Sequence, residues 1–249
     1  MKHIIALELH DIAAQLDIKE LQQRLQQYEA MLQRDFQLVD RPKAVVWTSA
    51  ELATTVFSSV PVPAYTNRDL IYMTPRVDEW RAFYIAMLEA EHVLYDDALI
   101  EVKAHYEQLT IDDVFCVLAH ELTHHIDLFP DEFDEERHDS IWFEEGMCEY
   151  LSQRLTLTDA QYNEHRRIEA LLIDYFMPIY GKPLDHFGMH TYEQTSLAAI
   201  MLNYWRSAVA IHHIVEQHDG DIFTVFARYN EWCQSGDVPL TTFFDVAHI

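Results

Sequence analysis

Residues 110–129, TIDDVFCVLAHELTHHIDLF, constrain this chain more than any other stretch. Thr110 stands where an N-cap belongs, Asp112 and Asp113 follow in the first turn, and Pro130 lies just past the end, so the run reads as one capped helix. At about 100° per residue, His120, Glu121 and His124 fall at roughly 0°, 100° and 40°, which puts two imidazoles and a carboxylate on one arc of the surface. The flanks VFCVLA and IDLF are apolar enough to bury that arc. This context favours a working cluster over two histidines that merely pack beside a solvent-facing acid.

Imidazoles at i and i+4 are one turn apart and can reach a single ion at roughly 2.0–2.1 Å, while the glutamate sits beside the ion without binding it. Zinc lowers the pKa of bound water from about 15.7 to about 7, so a neighbouring carboxylate can act as general base on the attacking water and pass the proton to a leaving amine. That is the logic of HExxH metallopeptidases, and it assigns His120 and His124 to zinc and Glu121 to proton transfer. A catalytic zinc usually takes three protein ligands, so a third must be found. The metzincin continuation HxxGxxH is absent, because HHIDLFPDEF has no glycine or histidine at the required positions. Glu145 in WFEEGMCEY is the better candidate; Glu144, His138, Asp139 and the carboxylates between 131 and 136 are the alternatives. Cys116 and Cys148 read as small buried residues, not ligands.

Glycine occurs 5 times in 249 residues, far below the usual share of about 7%, and most of the chain carries helical periodicity. An α+β, predominantly helical fold follows. Asp17 with Glu20 reads as a capping box opening a helix to about residue 36, with Ile18, Leu21, Leu25, Tyr28 and Leu32 on its buried face. KAVVWTS (43–49) and DLIYMT (69–74) read as strands of a small sheet, with a helical segment at about 50–58 and the loop SSVPVPAYTNR between them. Helix is expected from Asp78 to about 108, from near Ser140, and again after a Thr158 cap. Two or three more helices follow between 191 and 248, broken at Gly220 and before Pro239. Neither repeat nor linker is visible, so residues 1–249 are expected to form one domain. Its N-terminal lobe (1–110) would hold the sheet and its C-terminal part (111–249) the metal-site helices and a helical lobe.

The net charge of -25, from 42 acidic against 17 basic residues, argues against nucleic acid and anionic membrane surfaces as partners. No export signal or apolar span of about 18 residues is present. Three cysteines without CxxC spacing fit a reducing, cytoplasmic setting.

HELTH followed by WFEEGMCEY resembles the gluzincins, the thermolysin-like and aminopeptidase-N-like zinc metallopeptidases, whose HExxH is followed about twenty residues later by a glutamate on a second helix. WFEEGMCEY is similar to the aminopeptidase pattern W-x-x-E-G-x-x-x-Y. The resemblance implies a zincin-like catalytic domain holding one zinc through His120, His124 and Glu145, with Glu149 orienting His120 through its other nitrogen. More loosely, NYWRSAVAIHHIVEQHDG is similar to a segment in which a tyrosine donates to the substrate oxyanion. This points to Tyr204, with Ser207 and Gly220 in approximately matching places and Tyr192 or His190 as alternatives. It also implies an edge strand that holds an extended substrate, here DLIYMT. The G-x-M-E-N stretch that grips a free amino end is missing, so exopeptidase action is not implied. The expected activity is hydrolysis of a peptide or small protein. A zinc hydrolase of another amide or ester, and a non-enzymatic acidic binding protein, are the alternatives.

Overall fold

The computed structural model describes residues 1–7, 12–58, 61–130, 140–188, 191 and 196–249, with side chains of the first helix described from residue 14. Among these, four short strands from the first third of the chain make one sheet: β1 (Lys2–Ala6), β2 (Ala44–Thr48), β3 (Ala64–Thr66) and β4 (Leu70–Met73), in the order β1-β2-β4-β3. β1, β2 and β4 run parallel and β3 antiparallel to β4. Pairing sets Val45 beside Ile71 and Trp47 beside Met73, and Met73 in turn faces Ala64. All five side chains are buried in the core; β3 and β4 alternate between buried and half-buried residues, whereas the central β2 is buried along its whole length.

Helices form the rest, so the α+β, mostly helical architecture read from the sequence holds. Helix α1 (Ile12–Asp35) crosses from β1 to parallel β2 and buries the expected stripe of Ile18, Leu21, Leu25, Tyr28 and Leu32. A short α2 (Ala50–Leu52), capped by Ser49, runs into a π-helical turn at Ala53–Phe57. Helices α3 (Val77–Ala90) and α4 (Ile100–Glu107) precede α5 (Ile111–Thr123), α6 (Ile141–Thr156) and α7 (Asp159–Tyr180). The chain ends with α8 (Leu197–Gln217), α9 (Ile222–Ser235) and α10 (Leu240–Phe243). Gly220, at φ 82°, makes the left-handed turn out of α8.

Several boundaries differ from the sequence reading. Asp17 lies inside α1 and is not its cap, because the Ala–Ala–Gln–Leu run before it is itself helix-forming. The expected helix over 78–108 breaks after Ala90, where His92 takes φ 60°. The break lets α3 and α4 pack on each other, with the Tyr84 and Tyr106 rings stacked at 4.4 Å. DLIYMT is not an edge strand: β4 is paired on both sides, and the edges are β1 and β3, the latter inside the stretch read as loop. The metal-motif helix stops at Thr123 and not near 129, as the bonds from His125 to Leu122 and from Ile126 to Thr123 tighten the last turn.

Helix α5 is fixed by its neighbours. Thr110 and Asp113 form a capping box at its start. Arg24 of α1 donates to Asp112 at 2.8 Å and lies 4.2 Å over the Phe115 ring, Gln161 of α7 donates to the other Asp112 oxygen, and His165 meets Asp113 at 2.9 Å. Lower down, Tyr28 and Thr123 share a buried hydrogen bond of 2.7 Å.

The close crossing of α6 and α8 depends on Gly146. A Cβ there would lie 2.5 Å from the Ser207 carbonyl oxygen and 2.8 Å from Ile211 Cγ1, so only a bare Cα admits α8. Ser207 is fully buried and its hydroxyl donates to the Asn203 carbonyl, which leaves that surface smooth. A mid-helix glycine costs about 1 kcal/mol against alanine, so its presence here reflects packing. Gly146→Ala is therefore expected to lower unfolding free energy by roughly 1–3 kcal/mol in chemical denaturation, the overpacking cost exceeding the gain in helix propensity. An unchanged or raised stability would refute this account of the crossing.

Candidate metal centre

The last turn of α5 and the first turns of α6 meet at a cluster of histidines and glutamates in which His120 and Glu121 are buried and His124, Glu144, Glu145 and Glu149 half-buried. His120 and His124 turn Nε2 toward each other at 3.1 Å, and Glu145 Oε2 lies 3.1 Å from His120 Nε2 and 3.4 Å from His124 Nε2. Two ligands of a tetrahedral zinc with bonds of about 2.0–2.1 Å stand about 3.3–3.4 Å apart, so this triangle has the size one ion requires. Among the described residues, these three are the group of His, Cys, Asp and Glu side chains able to hold a metal. His124 is the first residue past α5, yet keeps right-handed helical backbone (φ -55°, ψ -18°), which preserves the one-turn spacing to His120.

Each imidazole is held from behind by a carboxylate. His120 Nδ1 meets Glu149 Oε2 at 2.9 Å, and His124 Nδ1 meets Glu144 Oε1 at 3.1 Å. With Nδ1–H donating to these acids, loss of the Nε2 protons would leave both Nε2 lone pairs for a cation, the tautomer a metal site needs. Glu149 thus stands where the sequence reading put it. Glu144, considered there as an alternative third ligand, instead orients the second histidine. Asp139, His138, residues 131–136, Tyr192 and His190 lie outside the described residues. Cys116 and Cys148 are buried free thiols, and burial pushes Cys148 up to about 12.

The electrostatics agree with the geometry. Burial alone would keep Glu145 protonated, but the charge of His124 and hydrogen bonds from both imidazoles hold it well below the usual carboxylate range. Burial pulls His120 down, and its bonds to Glu145 and Glu149 reverse that and raise it to about 9. Protons on the imidazoles therefore supply positive charge that the surrounding acids demand, and a divalent cation would displace them. Glu121, 8% exposed, is pushed by burial up to about 7 against the pull of His120 and His124, a value suited to a group that both takes and gives a proton.

Two neighbours complete the surroundings. The Tyr204 hydroxyl on α8 faces Glu145 Oε1 at 3.5 Å, and its ring packs edge-on against Phe187. Sequence reasoning missed His125, whose Nε2 lies 2.8 Å from Thr66 Oγ1 on β3. Burial and the nearby His124 charge lower His125 to about 3, so it stays neutral and ties the edge strand to the end of α5. Tyr65 of β3 is raised by burial and, to a lesser extent, by the charges of Glu121 and Tyr72.

Behind the site a second buried acid appears. Glu169 on α7 accepts from Gln153 Nε2 at 2.9 Å, and Gln153 Nε2 also donates to Glu149 Oε1 at 2.8 Å. The ionisable groups facing Glu169 are Glu149 across Gln153, His165 and Arg166 on its own helix, and Tyr150, Tyr162 and His212 around a small recess between α6, α7 and α8. Burial, then the Glu149 charge, lift Glu169 to about 7.

Compared with protein-family models, with curated proteins and with solved structures, the chain has no significant match, so the site stands on its own geometry.

A carboxyl raised on folding binds its proton more tightly in the native state. Its burial costs nothing below the unfolded value near 4.5, and the cost grows as pH rises through about 7. Glu169→Gln is accordingly expected to match the wild type in thermal stability at pH 4.5 and to exceed it at pH 8, by an amount on the order of 3 kcal/mol. Equal melting temperatures across that range would show that Glu169 carries no such penalty.

Proposed function

We propose that this chain is a zinc metallopeptidase of the gluzincin type, a zincin-like single domain that binds one zinc through His120, His124 and Glu145 and cleaves a peptide or small protein in the cytoplasm. The observation that carries the reading is the triangle of two Nε2 atoms and one carboxylate oxygen at 3.1, 3.1 and 3.4 Å, with both Nδ1 atoms engaged by glutamates. Such a partly buried set of acids is poorly compensated by neutral neighbours, whereas one divalent cation satisfies it.

When bound, zinc would supply Lewis-acid polarisation of the scissile carbonyl and a more acidic water. Everything else falls to this chain's own residues. Glu121 takes the proton from the attacking water and delivers it to the departing amine, a double duty consistent with its raised pKa. Tyr204 is placed to donate its hydroxyl hydrogen to the developing oxyanion, since it borders the metal-facing carboxylate. Glu149 and Glu144 hold the imidazole rings. The outer edge of β3, unpaired among the described residues, offers backbone groups to an extended chain, and the Thr66–His125 bond fastens this strand to the end of α5. That strand favours a peptide over a compact ester or amide.

Protein purified without added metal is expected to contain about one zinc per chain, and Glu145→Ala to lose it. Glu121→Gln should retain the zinc and lower hydrolysis of a broad peptide panel about 10²–10⁴-fold. A Glu121→Gln protein as active as the wild type removes the proposed base, and a wild type without metal affinity removes the centre.

A further inference from the structure

Helix α6 presents Glu145 and Glu149 to α5, and one turn later Gln153. Gln153 is almost fully buried, and its amide nitrogen uses both hydrogens on carboxylates, one on Glu149 Oε1 at 2.8 Å and one on Glu169 Oε1 at 2.9 Å. A continuous series of contacts therefore runs from His120 Nδ1 through Glu149 and Gln153 to Glu169 on α7. The first acid needs such a fixture. The Glu149 side chain keeps 29% of its surface exposed, so it has solvent to turn toward if only His120 holds it. A primary amide is the neutral group that can donate to two carboxylates at once without adding charge.

Glu169 is hard to explain by stability. It is a buried acid whose nearest carboxylate neighbour repels it, and an apolar residue of like volume would pack there at no such cost. What it does provide is an acceptor that fixes the far hydrogen of the Gln153 amide, so that the amide cannot rotate without losing a buried bond.

We propose that Gln153 and Glu169 are positioning residues of the metal centre, an outer pair that locks Glu149 in the rotamer from which it orients His120. The inference rests on the metal-centre reading above. It adds two residues, one of them on a helix that contributes no ligand, and it makes the Glu169 oxygen, not its charge, the working feature. Loss of a residue that directly orients a metal-binding histidine weakens affinity about 10–100-fold, so the pair behind it should act at the lower end of that range.

The test is zinc affinity of the full chain, measured by competition with a chromophoric chelator, beside the melting temperature of the metal-free proteins. Gln153→Leu is expected to bind zinc about 10-fold more weakly than the wild type. Glu169→Leu should fall in the same direction, whereas Glu169→Gln, which keeps an acceptor oxygen, should remain within about twofold. In a Glu149→Ala background, Gln153→Leu should produce no additional loss, since its effect passes through Glu149. If the single Gln153→Leu variant keeps wild-type affinity, or its loss simply adds to that of Glu149→Ala, the proposal is overturned while the metal centre stands. If Glu169→Gln is as weak as Glu169→Leu, the acceptor role is wrong. Should Gln153→Leu fail to fold, the two Glu169 variants decide the matter by themselves. A wild type that binds no zinc overturns the centre and this inference together.

Discussion

Glu145 is the constraint on which the rest of the structure turns. It lies partly buried between two imidazoles, with Glu144 and Glu149 on the same helix and Glu121 on the facing one. A buried carboxylate without compensation is among the costliest features a fold can carry. Here the compensation comes from positive charge on His120 and His124, whether as protons or as a cation they share. The elements around the site must therefore bring these two helices together and prevent the imidazoles from turning away.

Both ends of α5 are held for that purpose. The first turn is tied to α1 and α7 through Asp112 and Asp113, so the helix cannot slide along its axis. At its far end, Thr123 is bonded to Tyr28 and His125 to Thr66, which fixes the motif against α1 and the edge strand at once. Helix α6 is held in turn by its crossing with α8, where Gly146 directly follows the candidate ligand Glu145 and leaves out a side chain that would force the helices apart. Tyr204 reaches Glu145 from α8 because that crossing is tight. Ser207, which the resemblance to gluzincins placed without a role, is the small residue on the other side of the same contact.

The elements legible in the sequence are those specified by local chemistry. Caps at Thr110 and Thr158, the apolar strands β2 and β4, and the one-turn spacing of His120 and His124 follow from local sequence, whereas Glu145 and Glu149, on another helix, are singled out through the resemblance to gluzincins. What escaped is specified by partners distant in the chain. β1 has Ile4 and Ile5 half exposed, without the alternation that marks a strand, and exists because β2 pairs with it. β3 is three residues between Pro63 and Asn67, too short to show a period. The turn between α3 and α4 is dictated by the stacking of Tyr84 on Tyr106. Glu144, Gln153 and Glu169 gain their places only once α6 lies against α5 and α7, and His125 only once β3 lies against the end of α5, so no spacing rule points to them.

The orientation of the two helices adds a final electrostatic argument for a cation at this place. His120 and His124 occupy the C-terminal end of α5, where the aligned peptide dipoles give the helix its negative pole. Glu144 and Glu145 occupy the opening turns of α6, near its positive pole. Each dipole thus favours the charge its own helix carries, typically by about 0.3–1 kcal/mol at an exposed end and by more where the site is partly buried. The acids are stabilised by the N-terminus they sit on, and the positive charge they attract rests against the carbonyl end of its partner. An arrangement reversed in either helix would set pole against charge, so the meeting of these particular ends is part of the site and not merely its scaffold.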